Sequence, residues 1–157
     1  MIKHFEQPEV MEPEAGGQFQ WGAALGAGLI PGVLLLLAPR GSPWAGISFF
    51  SQVLMGRPLP PAMTMPLPLL CLVHLLIAEV YGLIISACVM HVTQGRAIVT
   101  GGIVGLILYF ANLAIVSLAF PAWHGNELGV LFTHVVFGLI AGGAYRGLLR
   151  RKAVRAV

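Results

Sequence analysis

Five side chains able to do chemistry stand inside otherwise apolar runs: His74, Glu79, Tyr109, Asn112 and His134. If each run is a helix, His74 lies seven residues in from Leu67, Asn112 eight in from Phe120 and His134 six in from Leu128, which sets the three at one level. Glu79 and Tyr109 share a deeper level, near the middle of their runs. His74 is followed at four-residue intervals by Ala78, Gly82 and Ser86, and His134 by Gly138 and Gly142. Each histidine therefore heads a stripe of small residues on one helix face. The segments His74-Leu75-Leu76-Ile77-Ala78 and His134-Val135-Val136-Phe137-Gly138 form a weak internal repeat. Parallel helices would present both imidazoles inward.

Three chemistries fit this layer. Two imidazoles at matching depth, with small residues making room for a macrocycle, are a ligand set for haem b, with His74 and His134 as axial ligands. Alternatively, the imidazoles hydrogen-bond Asn112, Thr133 or backbone carbonyls of neighbouring helices, as polar groups in lipid must. Glu79 is the third case, because a charged acidic side chain at the bilayer centre costs roughly 2.5–3.5 kcal/mol on insertion scales. Neutral and bonded to Tyr109, it acts as structural glue. Ionised, it relays protons or pairs with a Lys or Arg of a partner subunit across the lipid-facing surface.

Other catalytic machinery has no motif behind it. The chain has no Asp, no Gly-rich phosphate loop with its Lys, no HExxH, no Cys and His cluster and no GxSxG. Metal-assisted hydrolysis, phosphoryl transfer and serine catalysis are therefore not expected, and neither is a metal site. Cys71 and Cys88 are 17 residues apart in one run, about 25 Å along a helix, too far to bridge each other.

Such residues need helices in lipid to hold them. The chain has 157 residues, of which 57% are hydrophobic and only 10% charged, with a mean hydropathy of +0.86, more apolar than a water-soluble domain requires. The pattern predicts an all-α polytopic membrane protein, one domain over 21–149 with spans at about 21–38, 67–90, 97–120 and 128–149, since about 20 apolar residues cross a bilayer. The first run is short, is bent by Pro31, and carries Gly22, Gly26, Gly28 and Gly32, small residues four apart on two faces. Trp44, Ile47, Phe50 and Leu54 recur at helical spacing, which predicts an interfacial helix over about 44–56. Pro58, Pro60, Pro61 and Pro66 follow it and favour extended backbone, until Pro68 opens the next helix. Short connections at 91–96 and 121–127 favour antiparallel neighbours, hence an up-down four-helix bundle.

Charge is divided between the ends. A polar arm, 1–20, carries Glu6, Glu9, Glu12 and Glu14 and lacks the basic start and apolar core of a cleavable signal. Arg146 precedes a basic tail, 150–157, holding Arg150, Arg151, Lys152 and Arg155. Lys3, Arg96 and these five cations fall on one side, against Arg40 and Arg57 opposite, which predicts that both termini are cytoplasmic. The tail suits an anionic leaflet; nucleic acid would call for a larger basic surface with stacking aromatics.

Gly41-Ser42-Pro43-Trp44, Gly56-Arg57-Pro58-Leu59, His74, Tyr81-Gly82, Gly105, Leu108-Tyr109, Asn112, Phe120-Pro121, His134 to Gly138, and Tyr145-Arg146 together resemble a family of small uncharacterised bacterial four-helix integral membrane proteins. Some of that family carry the label sodium:proline symporter, but a symporter of that type has many more spans. The resemblance covers about 105 of the 157 residues and implies a four-helix fold, a bacterial inner membrane and no particular activity. It includes His74, Asn112 and His134, so it implies that their layer belongs to the family's architecture. The chain departs from the family at Glu79, where an apolar or small residue is expected, and in its acidic arm.

The functional expectation is a non-catalytic membrane subunit within a larger assembly of respiratory or energy metabolism. It is motivated by glycine-rich faces that offer more packing surface than one small bundle uses. Those faces would serve other subunits, or the chain itself in a homo-oligomer. The alternatives are a haem b electron carrier using His74 and His134, and a small oligomeric transporter or channel whose path Glu79, Asn112 and Tyr109 line.

Overall fold

The computed structural model describes residues 18–37, 67–119 and 127–155. The expected interfacial helix at 44–56, nearly all of the acidic arm and the end of the basic tail lie outside them. Four helices account for the described chain: α1 Trp21–Leu37, α2 Leu67–Val89, α3 Gln94–Ala119 and α4 Glu127–Arg155. Among the described residues there is no strand. The helix starts follow local chemistry. Pro68 sits in the first turn of α2, where its missing N–H is no loss. Thr93 takes the N-cap position of α3, and its carbonyl accepts from Ala97 N–H at 2.8 Å.

Three of these helices are long and apolar enough to cross a membrane, over Cys71–Val89, Gln94–Ile115 and Leu128–Arg151. The 17-residue α1 is shorter. Two boundaries differ from those expected at 97 and 149. The α3 helix begins at Gln94 because Thr93 caps it. The α4 helix runs on to Arg155 because no Gly or Pro follows Leu149 to stop it, so the basic tail extends the helix.

Successive helices are antiparallel neighbours. On α1 the positions Gly28 and Gly32 face Gly82 and Ala78 of α2 in descending order, and α3 meets α4 in the same opposed sense. Both α2 and α4 flank α1, whereas α1 and α3 sit diagonally opposite, with no close backbone approach among the described residues. The buried core is built largely from small side chains, including Ala23, Ala24, Ala27, Ala78, Ala97 and Ala141, around the larger Phe137 and Tyr145. Leu72, Leu76, Val80 and Ile84 on α2, and Val99, Ile103, Ile107 and Phe110 on α3, point outward. Such an apolar belt is a liability in water and the natural surface in lipid.

The tightest seam joins α3 to α4. A Cβ added to Gly101 would fall on the Gly138 carbonyl, one on Gly105 on the His134 carbonyl, and one on Gly142 on the Ala97 carbonyl. Ala97, Gly101 and Gly105 thus form a stripe that lies directly on His134, Gly138 and Gly142, backbone against backbone. Lipid tails are as apolar as leucine, so association here rests on van der Waals packing, which small residues maximise by letting helix axes approach. Gly138→Leu should cost about 1–3 kcal/mol or more through overpacking. Gly95→Ala, where an added Cβ meets nothing within 4 Å, should change stability by less than about 1 kcal/mol. Reversible unfolding in mixed micelles compares the two.

Candidate functional site: a buried polar layer

The seam positions the polar side chains. Gly105 brings α3 onto the His134 carbonyl, and Asn112 lies two turns further along the same helix, on the same face. Asn112 Nδ2 therefore reaches His134 Nε2 at 2.9 Å. The other ring nitrogen, Nδ1, lies 2.8 Å from the Val130 carbonyl one turn back on α4. A carbonyl only accepts, so Nδ1 carries the proton and Nε2 takes the Asn112 N–H. His134 is thereby held as one neutral tautomer with both nitrogens engaged. The Tyr81 and Tyr109 rings flank it, with centroids 5.8 and 5.9 Å away. Tyr81 also meets Phe137 edge-on, and its hydroxyl engages the Asn112 side chain.

His74 serves a different pair of helices. Its Nε2–H donates to the Gly32 carbonyl at 2.9 Å, joining α2 to α1. Gly32 packs against the Ala78 side chain, which keeps that carbonyl within reach. The Thr133 hydroxyl donates to Gly129 O, 2.7 Å away on its own helix. The two imidazoles line one cavity of about 30 Å³ between Leu35, Ile77, Tyr81 and Phe137. That volume holds a water or two and not a macrocycle. Axial ligation by both histidines would also break the bonds to Asn112 and Gly32. The small residues expected to make room for haem b are occupied instead by neighbouring backbones.

Glu79 stands apart from the layer. Its Oε2 is buried beside α1, close to where a Cβ on Gly28 would lie (3.0 Å), and has no hydrogen-bond partner among the described residues. The expected bond to Tyr109 is not made. Tyr109 faces His134 and Phe110 on the far side of the bundle. Glu79, Asn112 and Tyr109 consequently do not line one path. Gly28 has two roles, since its missing side chain lets the α2 backbone at Ala78 and Glu79 approach and leaves a notch for the carboxyl group.

Of the other glycines singled out, Gly26 meets Leu148 of α4 and Gly22 is exposed. Ala97, Gly101 and Gly105 form a packing stripe outside the expected set, with the same four-residue spacing as His134, Gly138 and Gly142. Tyr81, read only through the resemblance, turns out to be a wall of the site. Cys71 and Cys88 are both free thiols.

Asn112→Ala should strip His134 Nε2 of its donor and cost roughly 0.5–2 kcal/mol. On a His134→Phe background the same substitution should cost much less. A double-mutant cycle by unfolding in micelles reads the coupling. Comparison with protein-family models, with curated proteins and with solved structures finds no match to this chain.

Proposed function

We propose that the chain is a non-catalytic integral membrane subunit that packs, along the seam of α1 and α2, against a helix of another membrane protein. One observation carries this reading: a carboxyl group in the middle of an apolar span whose buried oxygen has no partner among the described residues. The neighbouring outward positions Leu76 and Val80 are apolar, so the group sits at the edge of a lipid-facing surface. A partner helix bearing Lys or Arg at that depth would relieve a cost of roughly 2.5–3.5 kcal/mol. Gly82, Gly101, Gly105, Gly138 and Gly142 pack against neighbouring helices inside the bundle, so the support for a partner comes from Glu79 and not from surplus glycine faces.

In this reading α1 is a fourth crossing. Its 17 residues rise only about 25 Å, short of a 30 Å core. It packs between α2 and α4 from Phe19, stacked on Tyr145 just before its first turn, to Gly32 and Leu35 beside His74, seven residues in from the start of α2. The Lys and Arg distribution supports both termini being cytoplasmic, and the family resemblance supports a bacterial inner membrane.

A photo-crosslinking residue at Val80 in the native membrane tests the proposal. The expected product is an adduct with a different polypeptide that carries a Lys or Arg within a membrane span, lost in Glu79→Leu and retained in Glu79→Asp. Adducts with lipid alone, or only with a second copy of this chain, would overturn it.

A further inference from the structure

The end of the bundle where α2 stops, α3 starts and α4 runs on carries a different chemistry. Phe19 stacks on Tyr145 with centroids 6.1 Å apart and meets Trp21 edge-on at 5.0 Å. The Gln20 N–H donates to the Tyr145 hydroxyl at 3.4 Å. Aromatic rings with one polar edge collect at the boundary between lipid tails and headgroups, so this cluster marks the interface. Beyond Tyr145, α4 continues to Arg155, about 15 Å further, enough to traverse the headgroup layer.

The cations sit at that level. Arg146 is only 6% exposed, and its Nη1 donates to the Met90 carbonyl just past the end of α2, at 3.2 Å. This bond anchors the guanidinium through one of its five N–H donors. The acidic residues in the described chain are Glu79, mid-way along α2, and Glu127, at the far end of α4, so neither serves as its counter-ion. Arg150 lies one turn beyond Arg146 on the same face, and Arg150 and Arg151 are exposed. Gln94 Nε2 donates to Gly143 O at 3.2 Å, which docks the first turn of α3, with exposed Arg96, beside this stretch of α4. Lys152 and Arg155 follow in sequence.

We infer that this end of the bundle binds the phosphate headgroup of an anionic phospholipid, with Arg146 as the fixed cation and Arg150 and Arg151 as its rim. A guanidinium fork matches phosphate oxygens bidentately. A surface cluster alone would attract an anionic leaflet diffusely; the buried, carbonyl-anchored Arg146 gives the headgroup one place to sit. The site is independent of Glu79 and of any partner subunit.

The test uses the full chain, purified in neutral detergent, titrated with short-chain phosphatidylglycerol, phosphatidylcholine or inorganic phosphate. Thermal stability and native mass spectrometry are the readouts. Phosphatidylglycerol should raise Tm and stay bound in a defined number of copies, while phosphatidylcholine and inorganic phosphate at equal concentration should do neither. Arg150→Gln with Arg151→Gln, both exposed and away from the core, should weaken phosphatidylglycerol binding roughly thirty-fold, about five-fold per cation. Arg146→Gln should abolish the defined stoichiometry. Equal binding of phosphatidylcholine, an equal shift with inorganic phosphate, or unchanged affinity in the Arg150 and Arg151 double variant would overturn the inference.

Discussion

Backbone contact between α3 and α4 is the constraint on which the rest of the molecule depends. Ala97, Gly101 and Gly105 lie on Gly142, Gly138 and His134 so closely that no side chain fits between them. In water, large apolar residues would drive helices together by leaving solvent. In lipid that gain vanishes, and the contact that remains strongest is the closest one. The seam also fixes rotation and height. With Gly105 held against the His134 carbonyl, Asn112 has one place to go, and the hydrogen bond to His134 follows from the packing.

The polar groups then divide into two sets. His134 and Asn112 satisfy each other across α3 and α4, and His74 ties α2 to the α1 backbone. In lipid an unmade hydrogen bond has no water to replace it, so these bonds hold the helices in register. Glu79 belongs to the other set, an ionisable group in a notch over Gly28 with a buried oxygen that nothing in the described bundle serves. Glu79 is the acidic member of the mid-membrane set and sits beside the outward positions Leu76 and Val80, which turns attention to that face of the bundle.

The bundle is also asymmetric along its axis. At one end a ring cluster, a buried arginine and a run of exposed cations gather where α4 outlasts its neighbours. The middle is alanine and glycine inside and leucine, isoleucine and valine outside. That ordering matches the ordering of a bilayer leaflet, apolar in the middle and cationic at its edge.

Much of the fold was legible in the residues alone. Three long apolar runs separated by short polar connections dictate helices and antiparallel neighbours, because backbone groups in lipid must bond within a helix. The depth of His74, Asn112 and His134 could be counted along the chain. Their partners could not be, since the residue that meets a side chain depends on helix rotation and on which backbones approach. His74 and His134 share a level, a cavity and a stripe of small residues, yet their bonds run to different helices. Glu79 and Tyr109 share a level and never meet. Periodicity along one helix determined which face is small and which is apolar; only the packing of four helices decided that the glycines would be filled by backbone instead of a cofactor, and that the carboxyl group would be left at the edge.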